Sequence, residues 1–161
     1  MDKESILQTI PHRPPFLFVD QVVELEEQRI RTRVQADPAA DFFKGHYPGN
    51  PVMPGVLLCE CCFQAGALLV GHQIKSNQGA AGFSPRGPGS GENAATSSGT
   101  PVITRIKDAK FKQIVRPGDV LDVEVTIDEN VNDVFFMTGR LRVGGKLALR
   151  VEFAVTLVPE N

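Results

Sequence analysis

The longest run of alternation lies near the C-terminal end, where Leu147, Leu149, Val151, Phe153, Val155 and Leu157 occupy every second position. A period of two puts one set of side chains on each face of a β-strand. Leu121, Val123, Val125 and Ile127 alternate in the same way with Asp122, Glu124, Thr126 and Asp128. Earlier, Ile30, Thr32, Val34 and Ala36 alternate with Arg29, Arg31, Arg33 and Gln35, which predicts one buried face and one wet face. Residues 134–143 predict a further strand, entered by a turn at Glu129-Asn130-Val131-Asn132-Asp133 and left by Gly144-Gly145, a tight-hairpin signal. Residues 16–25 and the less regular 101–112 bring the expected strands to six. Residues 2–10 predict a short amphipathic helix with Ile6, Leu7 and Ile10 on one side, ended by Pro11.

One stretch breaks this pattern and organises the rest. From Gly45 to Met53 prolines and glycines exclude a helix, because proline removes a donor and biases its predecessor towards extended geometry. After Pro54-Gly55 the breakers stop until Gly66. Proline costs little at a helix start, so a rigid loop carrying His46 leads into a helix of roughly 20 residues and ~30 Å. Val56, Leu57, Leu58, Cys59, Cys61, Cys62, Phe63, Ala65, Ala67, Leu68, Leu69 and Val70 leave it no polar face, which predicts burial on most sides. Glu60 and Gln64 are the polar exceptions in its first three turns, four residues apart on one face. An acid in such a setting is costly unless paired or neutral, and is therefore a candidate working group. His72 and Lys75 are expected in the last turn.

One apolar helix and six alternating strands predict an α+β fold, a curved antiparallel sheet wrapped round a single helix. The 161 residues fit one domain, 1–161. Within it, residues 76–100 are mostly Gly, Ser, Ala, Asn and Pro, with Phe83 the one large apolar residue, and read as a flexible insertion. The formal net charge of −2 implies no overall attraction to nucleic acid or membrane. Met1-Asp2-Lys3-Glu4-Ser5 shows no basic start to a signal peptide, and the central helix reads as core rather than a membrane span. Cys59, Cys61 and Cys62 are adjacent on one helix without a distant partner or zinc-ligand spacing, so they read as buried thiols in a reducing, cytoplasmic setting.

The sequence Gly45-His46-Tyr47-Pro48-Gly49-Asn50-Pro51-Val52-Met53-Pro54-Gly55-Val56-Leu57-Leu58-Cys59-Glu60, continued to Gln64, resembles the signature of the 3-hydroxyacyl-[acyl-carrier-protein] dehydratases. Pro11-His12-Arg13-Pro14-Pro15-Phe16-Leu17-Phe18-Val19-Asp20 and Phe111-Lys112-Gln113-Ile114-Val115-Arg116-Pro117-Gly118-Asp119 resemble two further motifs of that family. The resemblance implies the hotdog fold and a dimer, or higher homo-oligomer, that pairs two sheets edge to edge. It also implies an acyl thioester substrate on an acidic acyl carrier protein, fatty-acid synthesis, and no metal or organic cofactor.

Eliminating water from a 3-hydroxyacyl thioester requires a base at the carbon beside the carbonyl, a donor to the thioester oxygen and an acid for the departing hydroxyl. His46 is the candidate base, since imidazole is available near neutral pH; its alternative role is a turn residue. Glu60 is the candidate acid, apolar surroundings favouring its neutral form; its alternative is a carboxylate paired with a buried arginine. Gln64 would hold that carboxyl or a water. The resemblance places the His and the Glu of one site on different subunits. It assigns the oxyanion contact to the start of the helix, where the N–H groups of Gly55 and Val56 lack intrahelical partners. Leu57 and Phe63 are candidates for an acyl tunnel or for ordinary core. Arg105, Lys107, Lys110, Lys112 and Arg116 are candidates for carrier docking or for a solvated face. Pro14 and Ile114 depart from the family pattern, and Tyr47 is the sole tyrosine, which leaves chain-length preference open. Competing readings are a hotdog acyl thioesterase and a non-catalytic acyl- or carrier-binding subunit.

Overall fold

The computed structural model describes residues 1–80 and 99–158. In chain order the elements are α1 (Lys3–Thr9), β1 (Gln21–Leu25), β2 (Arg29–Gln35), α2 (Phe42–Gly45), α3 (Gly55–Ala80), β3 (Thr100–Phe111), β4 (Val120–Val131), β5 (Val134–Val143) and β6 (Lys146–Val158). The six strands form one antiparallel sheet in the order β1-β2-β4-β5-β6-β3, and α3 lies against β2, β3, β4, β5 and β6. This is the α+β hotdog arrangement. Its logic is that of the sequence: a helix without a polar face needs a sheet that curves round it. Every residue from Cys61 to Val70 is buried. By composition Gly55–Ser76 is long and apolar enough to cross a membrane, with mean hydropathy 1.4, yet 67% of that stretch is buried inside the fold.

The alternating residues divide as the pattern predicts. Ile30, Thr32, Val34, Leu121, Val123 and Val125 face the helix and are buried, while Arg29, Arg31 and Arg33 pair on the wet face with Glu24, Glu26, Glu124 and Asp122. Gly144 and Gly145 have φ of 56° and 78°, the left-handed pair that a two-residue hairpin needs. Asp2 caps α1 by accepting from the Ser5 N–H, and Ile6 and Ile10 are buried beneath it.

Several expectations are corrected. Residues 16–20 are not a strand: the Phe18 N–H donates to the Gln64 side chain, so helix α3 replaces the neighbouring strand as its partner. The turn expected at 129–133 shrinks to Asn132-Asp133, because β4 absorbs an irregularity between Ile127 and Glu129 and stays paired to Val131. Helix α3 runs to Ala80 and β3 begins at Thr100, so the proposed insertion is narrower than 76–100. Each added helical residue gains a hydrogen bond, and no proline interrupts before Pro85. His72 and Lys75 consequently sit short of the last turn, Lys75 donating to the Thr9 hydroxyl. The rest of the proposed insertion, 81–98, lies outside the described residues. The short α2 has no signal in the hydrophobic pattern.

Contact between α3 and β5 depends on one missing side chain. A Cβ on Gly139 would stand 2.8 Å from both Cβ and Sγ of Cys62. Gly139→Ala is therefore expected to destabilise the fold by about 1–3 kcal/mol through overpacking, read as a lowered urea midpoint at unchanged slope. A midpoint equal to wild type would show that helix and sheet separate freely here.

Candidate active site

Helix α2 delivers the chain to His46, whose N–H donates to the Phe42 carbonyl. Tyr47 then takes φ of 61°, a left-handed conformation that costs a side-chain-bearing residue roughly 1–2 kcal/mol. Surrounding contacts hold it there. Asn50 N–H donates to the Tyr47 carbonyl, Arg116 Nη1 donates to Asn50 Oδ1 at 2.8 Å, and Met53 N–H donates to the Val115 carbonyl. The third motif is thus the brace for the loop of the first. The His46 ring is half-buried, with Nδ1 2.8 Å from the Val52 carbonyl. A carbonyl only accepts, so Nδ1 carries the proton and the neutral ring leaves its lone pair on Nε2.

Gln64 is fully buried and fully used. Its Oε1 accepts from the Phe18 N–H at 2.8 Å, and its Nε2 donates to the Phe16 carbonyl at 3.1 Å and to Glu60 Oε1 at 3.0 Å. Glu60, with 19% of its side chain exposed, has no buried arginine as partner; His12 Nε2 lies 3.4 Å from Oε1 instead. His12 is therefore a site neighbour that the separate reading of His46, Glu60 and Gln64 missed. Its signal was present in the second motif, a histidine among prolines. Among the described residues no hydrogen bond or ion pair joins His46 to Glu60 within one chain.

At the start of α3, the Leu57 and Leu58 N–H groups both reach the Pro54 carbonyl, and the Gly55 and Val56 N–H groups have no acceptor among the described residues. Val56 is 74% exposed, which corrects the expectation that the helix is apolar and wrapped from its first turn. A Cβ on Gly55 would lie 2.9 Å from the Phe111 ring, so this turn sits directly under the end of β3. The charge on a substrate oxygen arriving here would meet two unengaged amides and the positive end of the helix.

Other candidates separate. Phe63 packs edge-on against Phe153 in the core, and Leu57 is partly buried at its margin. Cys61 and Cys62 are wholly buried, and burial pushes both thiols well up, which suits packing rather than reactivity. Pro14 lines an open cleft of about 370 Å³ with Phe18, Val34, Phe42, Met53 and Leu121. In the basic run, Lys110 pairs with Asp108 and Arg116 braces the loop, while Arg105, Lys107 and Lys112 are exposed without an ion pair among the described residues.

Fold and site together define a hotdog-fold protein carrying an imidazole, a carboxyl and a helix start with two unengaged amides. The overall shape is similar to that of the dehydratase heterocomplex ApeI:P from Xenorhabdus doucetiae, with a TM-score of 0.72 at 14% identity over 96% of this chain and 91% of that one. It is also similar to an uncharacterized protein from Pyrococcus horikoshii, with a TM-score of 0.64 at 12% identity over 96% of this chain and 94% of that one. The sequence profile of the FabA-like domain matches residues 10–152, and the chain belongs to that family. Among curated relatives, the 3-hydroxyacyl-[acyl-carrier-protein] dehydratase FabZ of Thiobacillus denitrificans is 37% identical over 98% of this chain and 97% of its own. The protein of that name from Caulobacter sp. (strain K31) is 33% identical over 98% of this chain and 86% of its own.

Proposed function

We propose that the protein dehydrates 3-hydroxyacyl-[acyl-carrier-protein] to trans-2-enoyl-[acyl-carrier-protein] in fatty-acid synthesis, in the cytoplasm. The observation that carries the reading is the likeness, along nearly the whole of both chains, to curated proteins named for that reaction. The geometry supplies roles. His46 Nε2, which bears the lone pair in the neutral tautomer that the Nδ1 bond to Val52 selects, takes the proton from the carbon beside the thioester carbonyl. The Gly55 and Val56 amides receive the charge on the thioester oxygen. Glu60, held by Gln64, protonates the departing hydroxyl, and the C–O bond breaks. Hydrolysis of the thioester, the competing hotdog reaction, gives no use to the loop-braced imidazole. The test is turnover of 3-hydroxybutyryl and crotonyl thioesters, with free thiol followed alongside. Interconversion without thiol release supports dehydration; thiol release without interconversion overturns it.

The same reading includes a second copy, since the family resemblance puts the His and the Glu of one site on different subunits. Strand β3 supports edge-to-edge pairing. It is a twelve-residue strand at the end of the sheet, exposed along most of its length, with Val102, Ile106 and Phe111 41%, 56% and 53% exposed. A long, apolar, unpaired edge invites another strand. The start of α3 lies under Phe111 at the end of this strand, so a protomer joined there would come close to it. Ile106→Glu is expected to give a monomer by light scattering and to lose turnover together with assembly. A fully active monomer would refute the shared site. The acyl carrier protein is the proposed partner, and the exposed Arg105, Lys107 and Lys112 offer it basic contacts.

A further inference from the structure

The proposed chemistry uses one histidine, yet a second one touches the acid. His12 comes from the segment between α1 and β1, and its Nε2 lies 3.4 Å from Glu60 Oε1, the same oxygen that Gln64 Nε2 reaches at 3.0 Å. We infer that His12 is a positioning residue for the acid: with Gln64 it occupies Glu60 Oε1 and so confines the transferable proton to Oε2. The inference rests on the reading of Glu60 as the acid.

The protonation of each group follows from its neighbours. The orientation of the Gln64 amide is settled by two backbone groups, the Phe18 N–H on Oε1 and the Phe16 carbonyl facing Nε2. Its remaining Nε2 hydrogen therefore points at Glu60 Oε1, which must accept. A ring lone pair from His12 facing that acceptor would repel it, so the inference puts a hydrogen on His12 Nε2, directed at Oε1 across 3.4 Å. On the other side of the ring, Nδ1 is buried without a hydrogen-bond partner among the described residues. A hydrogen on Nδ1 instead would be a buried, unsatisfied N–H, which favours the tautomer with its hydrogen on Nε2. The ring is stacked near Phe16 at 6.4 Å and 23°, and Arg13 Nη1 ties down its loop by donating to the Ile10 and His12 carbonyls.

With two N–H groups on Oε1, the neutral carboxyl has its carbonyl oxygen there and its hydroxyl at Oε2, which has no partner among the described residues. In dehydration the Oε2–H bond breaks as the C–O bond of the substrate breaks. Water departs, and the charge left on the carboxylate is met by the same two donors. Hydration runs the same transfer backwards. Apart from His12, the titratable groups around Glu60 are the thiols of Cys59 and Cys61, both pushed up by burial first and by Glu60 second. Asp20 adds to the rise at Cys61, and Arg13 is engaged with backbone carbonyls.

The test compares His12→Leu, His12→Gln and Glu60→Gln in the hydration of a crotonyl thioester across pH. In His12→Leu, kcat is expected to fall about tenfold, the value of one hydrogen bond to a charged group, with KM within about twofold. Losing a donor to the carboxylate favours its protonated form, and hydration needs the carboxylate as base, so the acidic limb of the kcat profile moves to higher pH. His12→Gln, which places an amide N–H where Nε2 stood, is expected to restore both rate and limb. Wild-type kcat and an unmoved limb in His12→Leu would overturn the inference. So would equal losses in both His12 variants with the limb unmoved, which is the behaviour of a merely structural residue. If Glu60→Gln keeps full activity, the acid itself is misassigned and the inference falls with it; if Glu60→Gln is inactive while His12→Leu is normal, only the role of His12 is lost.

Discussion

His46→Ala is expected to lower kcat for crotonyl thioester hydration by about 10²–10⁴-fold, the range for removing a positioned general acid–base group. The variant should fold. The ring is half-buried, and its loss frees one backbone carbonyl, that of Val52, near water at a cost of about 1 kcal/mol. His46→Gln separates the two roles of the ring. A glutamine donor could still reach a carbonyl such as that of Val52, but it offers no basic nitrogen, so the rate loss should persist while thermal stability recovers. Near-normal turnover in either variant would remove His46 from the chemistry and leave it as a turn residue.

Glu60→Gln is expected to cost a similar factor for a different reason. The introduced amide keeps a carbonyl oxygen to accept from Gln64 and His12, so the hydrogen bonds inside the chain survive. What changes is the other atom, where an amide N–H replaces the acidic O–H and cannot give up its proton. Activity should fall with little change in melting temperature or in KM, since binding at the helix start is untouched. A measured loss in both kcat and stability would indicate that Glu60 serves the fold rather than the reaction.

The three motifs were legible because each combines residues that ordinary packing would not select. Prolines and glycines round His46 announce a loop with one permitted shape, and Glu60 and Gln64 interrupt an otherwise apolar helix at a one-turn spacing. The alternation of β2, β4 and β6 was legible for the same reason that it exists: burial on one face repeats every second residue. Misreadings fell where a long-range partner overrides local pattern. Residues 16–20 have the composition of a strand, but the Gln64 side chain claims the Phe18 N–H. Val56 has the composition of core, yet it lies on the open side of the first turn of α3, while its neighbour Gly55 is the one that meets Phe111 of the sheet.

Local pattern was enough for the α+β class, the loop that carries His46 and the helix that carries Glu60, because periodicity, breakers and caps act over a few residues. Which atoms meet was settled by long-range packing. It gave Glu60 a histidine rather than an arginine, and it assigned the Nδ1 proton of His46 to a backbone carbonyl. It also set Val115 and Arg116 as the brace under a loop whose Asn50 lies 66 residues earlier than Arg116. Such pairings depend on how segments distant along the chain come together in space, and the order of residues along the chain has no term for that distance.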